Sequence, residues 1–165
     1  MYKEDLSRRV FLIRSCSGIS SAWLASHLPD ILAAHEHAHR AAQISPPRKL
    51  EFFSPEQAAE VEAVAAQIIP SDGSPGAREA RVIYFIDRAL TTFDRDKQKQ
   101  YNKGLKELQA KVRKLFPPAK KFSAMSEPQQ VKLLKEIEKT EFFELVRVHT
   151  IVGFLANPEY GGNYN

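Results

Sequence analysis

The sequence predicts an all-α protein, a compact bundle of about five helices with a glycine-rich C-terminal tail and a distinct N-terminal segment in front. Three observations predict it. Helix starts and stops built from Ser, Pro and Gly recur through the body, and apolar residues repeat at three- and four-residue spacing with no sustained period-2 alternation. Residues 1–45 differ from the rest, holding four of the five histidines (His27, His35, His37, His39). At 165 residues the chain has room for one core. An apolar fraction of 43% and a charged fraction of 27% exclude collagen-like, low-complexity and wholly disordered classes. The single cysteine, Cys16, permits no internal disulfide and leaves the compartment open. The net charge of +4 tilts the chain toward acidic surfaces without specifying one.

Residues 1–45 form a leader and residues 46–165 the helical domain. The leader carries Ser7-Arg8-Arg9-Val10-Phe11-Leu12 followed by a weakly apolar run to Leu28-Pro29. Paired arginines ahead of a modestly hydrophobic stretch are the layout of a twin-arginine export signal, read through Arg8, Arg9, Phe11 and Leu12. Such a route carries cargo that has already folded, and the expected location is the periplasm or the outer face of the cytoplasmic membrane. Arg14 interrupts the apolar run. The small-residue sites at Ser20-Ser21-Ala22 and near Ala33 and Ala34 are not clean Ala-x-Ala cleavage sites. Cys16, preceded by Ile13-Arg14-Ser15, is a poor lipidation site, and the alternating His35, His37 and His39 read as a solvated stretch, not a metal ligand set. No run approaches the roughly 18 apolar residues of a membrane span, so the mature part is expected to be soluble.

After Pro46-Pro47 the helices follow in order. Ser54-Pro55-Glu56-Gln57 is a capping box with proline at the first helical position, and its helix runs to Ile69 with Val61, Val64, Ala65 and Ile68 inward. Beyond the turn Pro70 to Ala77, the second helix buries Val82, Ile83, Ile86, Leu90 and Phe93, with Asp87 and Arg88 beside that stripe. A third, over about 95–116, presents Tyr101, Leu105, Leu108, Val112 and Leu115. Ser126-Glu127-Pro128-Gln129 starts a fourth with Val131, Leu134 and Ile137 inward. The fifth carries Phe142, Phe143, Val146, Thr150 and Val152. That last helix is apolar on nearly every face, so it is either central in the bundle or covered by a partner. The tail from Asn157 to Asn165, with Gly161, Gly162, Tyr160 and Tyr164, reads as a non-helical recognition loop.

Catalytic constellations are missing. After the leader there is no Cys and one histidine, His149, which argues against a nucleophilic triad. The Glu-x-x-His pairs of a di-metal bundle are absent, Arg147 standing three residues after Glu144. Gly73 to Gly76 lacks the Lys and preceding strand of a phosphate loop, and no dinucleotide or haem motif occurs. His149 on the most apolar helix reads as a hydrogen-bonded core or interface residue. Asp72 reads as a turn former and Asp87 as an ion-paired residue. Segment 97–121 holds nine Lys or Arg against one acid, Glu107. It is a solvated helix face or a patch for an acidic protein, an anionic surface or nucleic acid.

Ile68-Ile69-Pro70-Ser71-Asp72-Gly73-Ser74-Pro75-Gly76-Ala77 with Tyr84-Phe85-Ile86-Asp87, then Phe142-Phe143, Val146-Arg147, Thr150, Gly153, Asn157-Pro158 and Tyr160-Gly161-Gly162-Asn163, resemble the gluconate 2-dehydrogenase subunit 3 family over about residues 50–163. The resemblance implies a non-catalytic small subunit of a periplasmic dehydrogenase complex acting on sugars, sugar acids or polyols. It implies that FAD sits in a large subunit of the glucose-methanol-choline type and haem c in a cytochrome subunit. No cofactor is bound by this chain. The implied partners are that flavoprotein, the cytochrome and the twin-arginine translocase, with no nucleic acid. Some relatives carry a mature-chain cysteine that ties the complex together. This sequence has none after Cys16, which implies noncovalent association. The expected partner interface is Pro70, Asp72, Pro75, Gly76, Phe142, Phe143, Arg147, His149, Tyr160, Gly161, Gly162 and Asn163, with Tyr160 and Tyr164 as aromatic anchors. The alternative reading is a helical module that binds nucleic acid or an anionic surface through 97–121.

Overall fold

The Ser54 side chain accepts the Gln57 N–H at 3.3 Å while Gln57 Oε1 accepts the Ser54 N–H at 3.0 Å, so two donors left over at the helix start are satisfied reciprocally. From there α1 runs Pro55–Ile68 and stops before Pro70, which has no N–H to continue it. The computed structural model describes residues 25–34 and 49–155, and among them every regular element is helical. After α1 come α2 (Val82–Thr91), a 3-10 turn (Arg95–Lys97), α3 (Gln98–Leu115), a 3-10 turn (Phe122–Ala124), α4 (Glu127–Lys135) and α5 (Glu141–Leu155). Residues 25–34 are also helical. The leader motif Arg8, Arg9, Phe11 and Leu12, the histidines His35, His37 and His39, and the tail with Tyr160, Gly161, Gly162, Asn163 and Tyr164 lie outside the described residues.

The five body helices answer the five expected from periodicity. The third begins as a 3-10 turn at Arg95 before becoming α-helical at Gln98. The sequence left α5 either central or covered by a partner, and the fold makes it central. It packs against α1, α2 and α3, with Val146, Thr150 and Ile151 at zero exposure. Most of its apolar girth is therefore covered within this chain, while Leu155 at its end stays 44% exposed and Phe143 is half-buried. Two glycines allow that packing. A Cβ on Gly153 would stand 2.8 Å from the Phe85 ring of α2, and one on Gly104 of α3 would enter the ring of Phe142.

Two of the expected inward residues are corrected. Val131 is 39% exposed: α4 turns Gln130, Leu133 and Leu134 inward and Ile137 follows just beyond it, a face one position out of register with Val131. Leu115, the last residue of α3, is 43% exposed, and it is the next residue, Phe116, that packs against the core. Phe93, beyond the end of α2, is half-buried.

The main core joins Phe53, Val61, Val64, Ile68, Ile86, Leu90, Tyr101, Leu108, Phe122, Leu133 and Ile151, among others. A second, smaller cluster joins Ile31 and Ala34 of the leader stretch to Phe85, Ala89 and Val152. Part of the 1–45 segment thus rests on the body. Among the described residues no helix is long and apolar enough to cross a membrane.

Candidate functional site

The turn between α1 and α2 is fastened from inside. Ala77 N–H donates to the Ile69 carbonyl at 2.9 Å, closing the loop. Glu79 Oε2 accepts both the Ser71 hydroxyl at 2.6 Å and the Gly76 N–H at 2.8 Å. The Ser71 hydroxyl, then backbone donors that include Gly76, hold the Glu79 carboxyl below its usual range. Gly76 is buried so tightly that a Cβ would meet Ile69 O and Pro70 C at 2.7 Å and Ser71 N at 2.8 Å. Gly73 serves a different need, with φ +92°, a conformation natural to glycine. The result is a rigid loop whose Pro70, Asp72 and Pro75 are exposed while its base is sealed. Pre-ordered exposed loops lose little entropy on binding.

The expected residues of α5 divide by depth. Phe142 is 5% exposed, packed in the gap left by Gly104, with its ring edge-on to Tyr101. His149 is 1% exposed. Phe143 is half-buried, and the Arg147 side chain is 17% exposed with its Nε donating to Glu144 Oε2 at 2.8 Å. Phe142 and His149 therefore support the helix from beneath, while Phe143 and Arg147 reach its surface.

His149 is a hydrogen-bonded core residue, as its position on the apolar helix suggested. Its Nε2 stands 2.8 Å from Asp94 Oδ2, and its Nδ1 3.0 Å from the Tyr101 hydroxyl. With the proton on Nε2, the ring donates to Asp94 and accepts from Tyr101, which satisfies all three groups. A carboxylate, an imidazole and a hydroxyl in line is the layout of a nucleophile triad. Here the hydroxyl is a phenol at zero exposure that no substrate reaches. Burial, and secondarily the Asp94 charge, push that phenol well above its ordinary pKa.

Asp87 is corrected from an ion-paired residue to a backbone acceptor. Its Oδ2 takes the Glu51 N–H at 2.7 Å, and its Oδ1 takes the Phe52 and Phe53 N–H groups, each at 3.0 Å. The neighbouring Arg88 instead stands 3.7 Å from Glu51. Glu60 does the same for the chain before α4, accepting the Phe122 N–H at 2.9 Å and the Ser123 N–H at 3.1 Å. Asp94 and Glu60 were missed in the sequence. Glu60 is four residues before Val64 on the buried stripe of α1, a visible signal, whereas nothing local marks Asp94.

The basic segment is a solvated face, with Lys99, Lys103, Lys106, Arg113, Lys114, Lys120 and Lys121 exposed. Lys97 pairs with Asp96 at 2.8 Å, Lys103 with Glu107 at 3.8 Å, and Lys111 reaches the Glu136 carbonyl at 3.2 Å. Lys106, Arg113 and Lys121 share a groove of about 410 Å³ with Leu105 and Glu56.

Among the described residues this is a small all-α bundle in which buried Asp87, Glu60 and His149 bond its own backbone and core, and in which the turn after α1 is tied at its base and exposed at its tip. A family model described as gluconate 2-dehydrogenase subunit 3 matches residues 55–164, from the first residue of α1 into the tail, and the chain belongs to that family. It is accordingly a subunit of a gluconate 2-dehydrogenase-type complex. Searches of curated proteins and of solved structures find no match.

Proposed function

We propose that this chain is the non-catalytic small subunit of a periplasmic FAD-dependent sugar, sugar-acid or glucoside dehydrogenase complex. It stabilises a glucose-methanol-choline type flavoprotein and carries it through twin-arginine export. FAD belongs to that large subunit and haem c to a cytochrome subunit, and this chain holds neither. The family match supports the complex, and Arg8-Arg9 with Phe11-Leu12 supports the route. The observation that carries the docking role is the turn after α1, a loop sealed at Gly76 that holds two prolines and Asp72 outward. Rigid apolar and aromatic anchors are what interface cores use. The proposed face joins that turn to Phe143, Arg147 and the tail, with Phe142 and His149 holding α5 in place.

The test is a mild affinity purification of the tagged full chain from its native host, with the visible spectrum of what accompanies it. Flavin bands with a large companion are expected, and truncation after Asn157 or Pro75→Glu is expected to lower the companion's yield. Full yield from both variants removes the docking face. A colourless product rich in nucleic acid and steeply salt-sensitive would overturn the subunit role and turn attention to the 97–121 face.

A further inference from the structure

The second apolar cluster has an unusual membership. Phe85 and Ala89 come from α2, Val152 from near the end of α5, and Ile31 and Ala34 from the leader. Ile31 is 4% exposed and Ala34 1%. The half-buried Tyr84, Phe93 and Val148 pack around them, and the His27 ring lies 5.9 Å from that of Phe93. His27, Ile31 and Ala34 recur at i, i+4 and i+7, one stripe of a helix, and that stripe is the one against the body. Leu28 and Leu32, on the other side, are 47% and 57% exposed. The contact is thus directional.

The face that receives this stripe does not exist in any local piece of the chain. It needs α2 against α5, at a distance that the missing side chain of Gly153 permits, since a Cβ there would meet Phe85. Within the described helical stretch 25–34 stands Pro29, which lacks the N–H a helix interior needs and weakens any helix standing alone. Its helicity therefore depends on the surface beneath it. We infer that the α2–α5 face is a folding-dependent dock for this chain's own segment 25–34: the leader is gripped when the body is folded and released when it is not. The leader's attachment then reports the folded state of the domain behind it. The inference is independent of the export reading, because docking is measured on the isolated full chain whatever its destination.

Hydrogen exchange of the full-length protein along a urea series tests it. Amides of 30–34, the part of the segment that follows Pro29, are expected to be protected in the native protein and to lose protection together with α2 and α5. Ile31→Asp, which touches no body helix's own sequence, is expected to lower that protection by about tenfold or more while α1 to α5 exchange as before. Leu32→Asp, on the exposed side, is expected to leave it unchanged. Unprotected 30–34 amides in the native chain would overturn the inference, as would protection that outlasts the opening of α2 and α5, or equal effects of the two aspartates. Protection that grows with protein concentration would also overturn it, by assigning the dock to the leader of a second copy.

Discussion

Gly73 and Gly76 share one turn, and the structure gives them opposite reasons to be glycine, so the same substitution separates the reasons. At Gly76 an added Cβ would meet three backbone atoms at 2.7–2.8 Å, none of which swings aside as a side-chain tip would. Relieving such overpacking costs about 1–3 kcal/mol. The displacement also stretches the Gly76 N–H bond to Glu79 at 2.8 Å and the Ala77 N–H bond to Ile69 at 2.9 Å, each worth about 0.5–1.5 kcal/mol. The lower entropy of an unfolded alanine offsets about 0.4–1 kcal/mol. Gly76→Ala is therefore expected to cost about 1–5 kcal/mol. At Gly73 nothing lies within 4 Å, and only φ +92° resists a side chain. Gly73→Ala is expected to cost about 1 kcal/mol. Urea unfolding followed by circular dichroism, with unchanged slope, gives both values. A Gly76→Ala within about 0.5 kcal/mol of the parent, or a costlier Gly73→Ala, would refute the sealed-base account of the turn and weaken its standing as a pre-ordered docking loop.

Asp87→Ala strands the buried Phe53 N–H and leaves the part-buried Glu51 and Phe52 N–H groups to water, a loss of about 3–4 kcal/mol. Faster exchange at those three amides would identify the cause, and an unchanged urea midpoint would contradict it. Because the Tyr101 phenol is pushed well above its usual value near 10, the folded protein keeps a proton that the unfolded chain releases. Stability is then whole below about pH 10 and falls as pH rises past it, with one tyrosine ionising only as helicity is lost. Reversible ionisation of all five tyrosines at full helicity would show that the site is open. The Thr150 hydroxyl is buried with no hydrogen-bond partner among the described residues. Thr150→Val, nearly the same in volume, is expected to raise stability by about 1 kcal/mol. A loss of that size in a thermal melt would reveal a partner for the hydroxyl.

The parts of the fold that sequence disclosed are those whose physics is local. The Ser54-Pro55-Gln57 box and the Val61, Val64, Ala65, Ile68 stripe need only neighbours within one helix, and both stand where the pattern put them. Val131 was misplaced because α4 has nine residues and its inward face includes a glutamine. Gln130 is buried since its Nε2 donates to the Phe122 carbonyl at 2.9 Å and its Oε1 accepts from Gln67 at 2.7 Å. A polar residue inside the stripe hides the register, and Val131 beside it supplies a false one. Asp87 was misread for a related reason. Arg88 is its neighbour in sequence, but its partners are amides 34–36 residues upstream, and no periodicity points there.

The candidate site was legible in chemistry and not in depth. Pro70, Asp72 and Pro75 enter through the family resemblance, and in the fold they are exposed. Phe142 and His149 enter the same face through that resemblance and their place on the apolar last helix, and neither separates a residue that faces a partner from one that faces its own core. What separates them is contact made elsewhere in the chain: Gly104 opens the space that Phe142 fills, and Asp94 and Tyr101 hold both nitrogens of His149. The same contacts join the two halves of the proposal. A helix held by a buried three-residue hydrogen-bond chain is a fixed platform, so Phe143 and Arg147 on its surface are presented in one orientation. The turn sealed at Gly76 is presented likewise, and the dock for residues 25–34 is built from the far end of that same platform, at Val152. One rigid helix thus ties together the surface proposed for the partner and the surface that grips the leader. A substitution that loosens α5, such as His149→Ala, is expected to weaken both together.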